Sequence, residues 1–86
     1  MDNILVIFGN RNTTMQLYTL LRKIGVRCVI VPVPNQLSVS CGLSLQTSYS
    51  NLDKVLFVIR KMQIKQSYKI FRERKINNRS VYQKVI

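Results

Sequence analysis

Cys41 is the residue of this chain whose type and setting most favour covalent chemistry. It lies between Ser40 and Gly42, in a segment of small polar residues that follows Pro32 and Pro34. A thiol in such a loop is accessible, and it becomes a nucleophile when a nearby positive charge lowers its pKa toward neutrality. The alternative is that Cys41 is only a small apolar residue at the start of a strand, and spacing alone favours that alternative.

The expected topology places positive charge near this thiol. The apolar run Ile4 to Phe8 predicts a strand, and a helix begins within the polar residues after Gly9. If strands 1 and 2 run in the same direction and strand 3 runs back, the loop that contains Cys41 lies beside the N-terminus of that helix. We therefore predict a site in which Cys41 is the reactive residue, because a helix N-terminus and a guanidinium both stabilise a thiolate. The supporting residues are Arg11, Asn10, Thr13, Ser40 and Gly42.

Other kinds of chemistry have little support in the composition. The chain has no histidine, and its three acidic residues, Asp2, Asp53 and Glu73, are scattered along the sequence. His-based triads and paired-carboxylate hydrolysis are therefore implausible, and we expect no cofactor and no metal site. The second cysteine, Cys28, lies in an apolar strand run, where a buried and inert thiol is expected.

The positive charge of the chain could serve a polyanionic partner. The net charge is +11 over 86 residues, and most of the excess lies in the second half. One alternative function is therefore a module that binds nucleic acid through its Lys/Arg surface, and the other interpretation is a solvated surface that keeps a small protein in solution. Strand 3 has no aromatic residue and strand 1 has only Phe8, so binding would be weak and indifferent to sequence.

Hydrophobic periodicity predicts the order β-α-β-β-α-β. The predicted strands are Ile4–Phe8, Cys28–Val31, Leu43–Thr47 and Tyr68–Phe71. The first helix has Asn10, Asn12 or Thr13 as its N-cap, ends at Gly25, and has a buried stripe of Thr14, Leu17, Tyr18, Leu21 and Ile24. The second helix has Ser50 or Asn51 as its N-cap and a buried stripe of Leu52, Val55, Leu56, Ile59 and Met62. This order favours an α+β fold of the ferredoxin-like split βαβ type, with a four-stranded antiparallel sheet and both helices on one face. The expected division is one domain over residues 1–71 and a basic C-terminal extension over 72–86.

Two features suggest a homodimer. Leu5 and Ile7 alternate with the residues of strand 1 that would face the helices, so they need cover from the extension or from a second subunit. The extension also carries apolar residues that a solvated tail does not use. A dimeric structural or regulatory domain without catalytic activity is thus a further alternative.

The chain has no run of 18 apolar residues and no basic segment at its start. We expect no contact with a membrane, no secretory signal and a cytoplasmic location, where both thiols remain reduced.

The segment from Pro32 to Leu45, with Ser40-Cys41-Gly42-Leu43 as its most specific part, resembles a small bacterial family of selenium/sulfur carrier-like proteins, otherwise a domain of unknown function. The chain follows the family's plan from about Ile4 to Phe71. The resemblance implies that Cys41 carries a persulfide or selenopersulfide. It also implies donor and acceptor proteins as partners, and a carrier rather than a stand-alone enzyme.

Overall fold

The computed structural model describes residues 2–37 and 42–86. Two α-helices, α1 (Arg11–Lys23) and α2 (Leu52–Met62), alternate with the strands of one sheet. The strands are β1 (Asn3–Phe8), β2 (Cys28–Pro32), β3 (Leu43–Ser48), β4 (Tyr68–Ile76) and β5 (Arg79–Lys84), and short 3₁₀ turns cover Asn35–Leu37 and Tyr49–Asn51. In the described parts, no helix is long and apolar enough to cross a membrane.

The sheet is antiparallel throughout, and its strand order is β2-β3-β1-β4-β5. Strand β1 is central, and Ile4 lies opposite Thr47 of β3 and Arg72 of β4. A central strand with a partner strand on each side can bury side chains on both of its faces, and it then needs apolar residues at successive positions. This explains why Ile4 to Phe8 is an unbroken apolar run, all of it buried.

Both helices pack on the same face of the sheet. Ile4, Val6 and Phe8 of β1 form one core cluster with Leu17 and Leu21 of α1 and with a buried stripe of α2. That stripe consists of Val55, Val58 and Ile59. The predicted stripe included Val55 and Ile59 but not Val58. The predicted Leu52, Leu56 and Met62 are only partly buried and pack at the margin of the cluster.

Local signals fix both ends of α1. Asn10 is the N-cap, and its Oδ1 accepts a hydrogen bond of 2.7 Å from the amide of Asn12. At the other end, Gly25 has a φ of 84°. Its amide donates to Arg22 O, and the Val26 amide donates to Leu21 O, which is the Schellman pattern. The prediction that Gly25 ends this helix is confirmed.

The predicted count of four strands is wrong, because the sheet has a fifth strand. Strand β4 continues five residues beyond Phe71 to Ile76, and β5 returns beside it. Asn77 and Asn78 have φ values of 50° and 63°, so they form a two-residue turn with both central residues in the left-handed region. Asparagine tolerates that region, and such a turn matches the twist of a hairpin.

The second apolar set of β1 is buried within a single chain. Leu5 is 1% exposed and Ile7 is 5% exposed, although both alternate with the residues that face the helices. Their partners across the ladders include Gln46 and Phe71 for Leu5 and Lys69 for Ile7. Leu5 and Ile7 therefore need no second subunit to cover them, contrary to one of the two expectations from the sequence.

Candidate functional site

Arg11 brings its guanidinium to Gly42, the residue that directly follows Cys41 in the sequence. A Cβ placed on Gly42 would lie 3.4 Å from Arg11 Nη2. The Gly42 carbonyl accepts a hydrogen bond of 3.2 Å from the Val33 amide. This bond links the chain before the segment that contains Cys41 to the chain directly after it. The absence of a side chain at Gly42 leaves room for the guanidinium at this point.

The N-terminus of α1 lies at the same end of the sheet. Strands β1 and β2 both pair antiparallel with β3, so the end of β1, the end of β2 and the start of β3 lie at the same end of the sheet. Asn10 caps one amide of the first turn, and its carbonyl accepts from the Thr14 amide at 3.3 Å. The free amides and aligned peptide dipoles of a helix start carry partial positive charge.

The loop between α2 and β4 closes over this end. Gln66 Nε2 donates a hydrogen bond of 2.6 Å to Thr13 Oγ1, and Gln66 Oε1 would lie 3.9 Å from a Cβ at Gly9. No motif or periodicity in the sequence marks Gln66. The only signal for it is topological, since the loop that follows α2 must return to the start of β4, which lies opposite Phe8.

All three acidic residues lie at the opposite end. Asp2 precedes β1, and its carboxylate pairs with Arg72 at 2.5 Å. Glu73 lies across the ladder from Asn3, at the same end as Asp2. Asp53 lies in the first turn of α2, which begins soon after β3 ends beside Asn3. No carboxylate side chain therefore offsets Arg11 and the start of α1 at the site end.

Cys28 is unsuited to reaction with a partner. Its side chain is 4% exposed and belongs to the core cluster under the helices, which confirms that it is buried. Burial raises the pKa of the Cys28 thiol above its ordinary value, and the charge of Arg22 offsets this only in part. The thiol is therefore held in its unreactive, protonated form.

Of the predicted site residues, the structure brings Arg11, Asn10, Thr13 and Gly42 to one end of the molecule. Cys41 and Ser40 lie outside the described residues. The described part of the site is a positively charged end of the sheet, formed by the start of α1, the Arg11 guanidinium and Gly42.

The chain matches the model of a known protein family. The model of the family described as "Putative Se/S carrier protein-like" matches residues 3–69. No curated protein and no solved structure matches the chain. The matched range runs from the start of β1 into β4 and includes the segment between Pro32 and Leu45. The chain therefore belongs to the Se/S carrier protein-like family.

Proposed function

We propose that this protein carries one sulfur or selenium atom on Cys41, as a persulfide or selenopersulfide, between a donor and an acceptor protein. The observation that carries the proposal is family membership over residues 3–69, a range that contains both cysteines of the chain. Cys28 is buried in the core, so it cannot meet the thiol of another protein. Cys41 is then the residue available for the carried atom.

The electrostatics at Gly42 support the choice of Cys41. A thiolate rather than a thiol attacks sulfur, and adjacent positive charge increases the thiolate fraction at neutral pH. Arg11 supplies a full charge within contact of the residue that follows Cys41, and the start of α1 adds its partial charge. The acidic side chains lie at the far end, so no carboxylate side chain offsets these charges.

The transfer needs no redox partner. The Cys41 thiolate attacks the terminal sulfur of a donor persulfide, a new S–S bond forms at Cys41, and the donor's own S–S bond breaks. The donor leaves as a thiolate, and the proton on the transferred sulfur stays with it. An acceptor thiolate removes the atom by the same reaction in reverse. Selenium transfer follows the same electron count, so the protein acts as a carrier rather than as a stand-alone enzyme.

The fold assignment and the cellular compartment belong to the same proposal. We assign the first four strands and the two helices to a ferredoxin-like split βαβ unit, to which β5 is added at one edge. The strand order β2-β3-β1-β4 and the packing of both helices on one face support this assignment. A free thiol with this role requires a reducing compartment, which favours the cytoplasm.

Mass spectrometry of the intact protein, isolated without reductant, tests the carrier function. We expect a fraction of the protein to be heavier by one sulfur or one selenium atom, and we expect a reductant to remove that mass. Cys41→Ser should abolish the added mass, whereas Cys28→Ala, the matched control, should retain it. An added mass that follows Cys28, or that persists in Cys41→Ser, would contradict the proposal.

A further inference from the structure

The sheet face opposite the helices carries a second positively charged surface, distinct from the site formed by Arg11 and Gly42. On β4, Ile70 belongs to the core under the helices, so the alternating residues Lys69, Phe71 and Lys75 face the other way. The ladder between β4 and β5 places Lys84 opposite Phe71, and Tyr82 opposite Glu73. We call the set Lys69, Phe71, Lys75, Tyr82 and Lys84 the lysine–aromatic patch.

One acid, Glu73, lies among the three lysines of this patch, so the patch keeps a net positive charge. Its three lysines are exposed, and none of them forms an ion pair within the described parts of the chain. The acid on this face, Glu73, accepts hydrogen bonds from Gln46 Nε2 at 2.9 Å and from the Tyr82 hydroxyl at 3.2 Å. Asp2 is held by Arg72 on the helix side of the sheet. The patch therefore offers three free ammonium groups to an anionic partner.

The patch also carries two aromatic rings that are partly exposed and unstacked in the described structure. Phe71 and Tyr82 are both partly exposed, and neither ring stacks on another ring or on a cation in the described structure. They are diagonal neighbours across the ladder, a relation in which the two residues lie about 7–8 Å apart and their Cβ atoms somewhat closer. Lys69 and Lys75 flank them along β4, about 20 Å apart at the usual rise of a strand.

We propose that the lysine–aromatic patch binds single-stranded nucleic acid. Exposed bases stack on aromatic rings, and lysines track the phosphates beside them. A duplex hides its base faces, and an acidic peptide would use the lysines but not the rings. Rings that stack bases were expected on strands 1 and 3, where Phe8 is the one aromatic residue. They lie instead on β4 and β5, and the second of these strands was not predicted.

The surface acts independently of Cys41. The patch lies on the sheet face opposite the helices, whereas Arg11 begins α1 on the other face and Gly42 directly precedes β3. Cys41→Ser is therefore expected to bind nucleic acid as the unchanged protein does, so the carrier proposal and this one fail separately.

Fluorescence anisotropy with labelled oligouridine, oligothymidine and a duplex of equal length, at two salt concentrations, tests the proposal. We expect tighter binding to the single strands than to the duplex. Phe71→Leu keeps an apolar side chain but removes the ring, and it should weaken binding about tenfold. Tyr82→Leu provides an independent ring variant if Phe71→Leu does not fold. A double change of Lys69 and Lys84 to Gln should reduce the salt slope by about 1.4.

The matched control is the double change of Lys54 and Lys61 to Gln, which removes the same charge from the exposed surface of α2. It should change binding much less than the patch variants do. Equal losses from both double variants, equal binding to duplex and single strand, or full binding by both ring variants would each overturn the proposal. Polyglutamate that binds as tightly as oligouridine, with the same loss in Phe71→Leu, would overturn it in favour of an acidic protein partner.

Discussion

Among the described residues, Arg11 gives the most direct structural information on the surroundings of Cys41. Its guanidinium contacts Gly42, and no carboxylate side chain lies at that end of the molecule. The sequence alone indicated this relation, because the direction of three strands decides which loops meet the start of α1. What the sequence could not supply was the conformation of the long Arg11 side chain, which depends on the room left by Gly42.

We predict that Cys41 reacts with iodoacetamide faster than Cys28, and that its pKa lies below the ordinary value of about 8.5. Arg11→Glu should raise the pKa of Cys41 and slow alkylation at neutral pH, because it replaces a stabilising charge with a repelling one. The measurement is the rate of alkylation against pH in a Cys28→Ala background. Lys54→Glu, the same charge change at the far end, should have little effect. Equal shifts in both variants would show that net charge, and not Arg11, sets the reactivity.

Cys28 predicts a pH dependence of stability. Burial raises the pKa of its thiol in the folded state above the value in the unfolded chain. The folded state therefore binds this proton more tightly. The associated stability is present below the unfolded pKa and is lost as the pH rises through the folded pKa. We expect the free energy of unfolding to fall more from neutral to alkaline pH in the unchanged protein than in Cys28→Ala. Parallel curves from urea unfolding would refute this effect.

At the scale of elements, local signals were sufficient for most of the chain. Strand β1 follows from its apolar run, and α1 follows from its apolar stripe and from Gly25 at its end, whereas Asn10 was one of three candidates for its N-cap. Strand β5 was missed because its apolar residues are sparse and exposed, with Val81 at 44%. The available signal was Asn77-Asn78 between two alternating segments, which is typical of a two-residue hairpin turn.

That turn gives the prediction for the hairpin. Asn78 has a φ of 63°, a region that costs an ordinary residue about 1 kcal/mol or more. Asn78→Ala should lower the free energy of unfolding by about 1 kcal/mol and should weaken the exchange protection of the β5 amides. Asn78→Gly should retain or raise stability, since glycine adopts this region without strain. Asn35→Ala, at an exposed asparagine without a positive φ, is the control. Equal losses in Asn78→Ala and Asn78→Gly would contradict this account of the turn.

At the scale of the whole molecule, acidic side chains are confined to one end of the sheet. The three acids lie at one end, and the other end holds Arg11 and the start of α1. Over residues 68–84, six basic side chains accompany a single acid, Glu73. A sum over composition gives the net charge of +11 but not this arrangement. The arrangement depends on the register that places Glu73 beside Asn3.

The free edge of β5 gives the last prediction. Strand β5 is the end strand of the sheet and has no strand partner on its outer side in the described chain. Exposed edges with apolar side chains tend to pair with a second copy, and Val81 and Val85 are both exposed here. We predict a homodimer through residues 72–86, with β5 against β5. Because each chain carries +11, repulsion opposes the pairing, and added salt should strengthen the dimer.

Light scattering across a dilution series, at low and high salt, measures this association. Val81→Lys adds a charge beside the β5 edge and should shift the equilibrium toward monomer. Val29→Lys makes the same change on β2, the opposite edge strand, at a residue that is 51% exposed, and it should leave the dimer intact. The response to salt also separates the dimer from nucleic-acid binding, since salt strengthens the first and weakens the second. A monomer at high concentration and high salt, or a dimer lost only in Val29→Lys, would rule out pairing through β5.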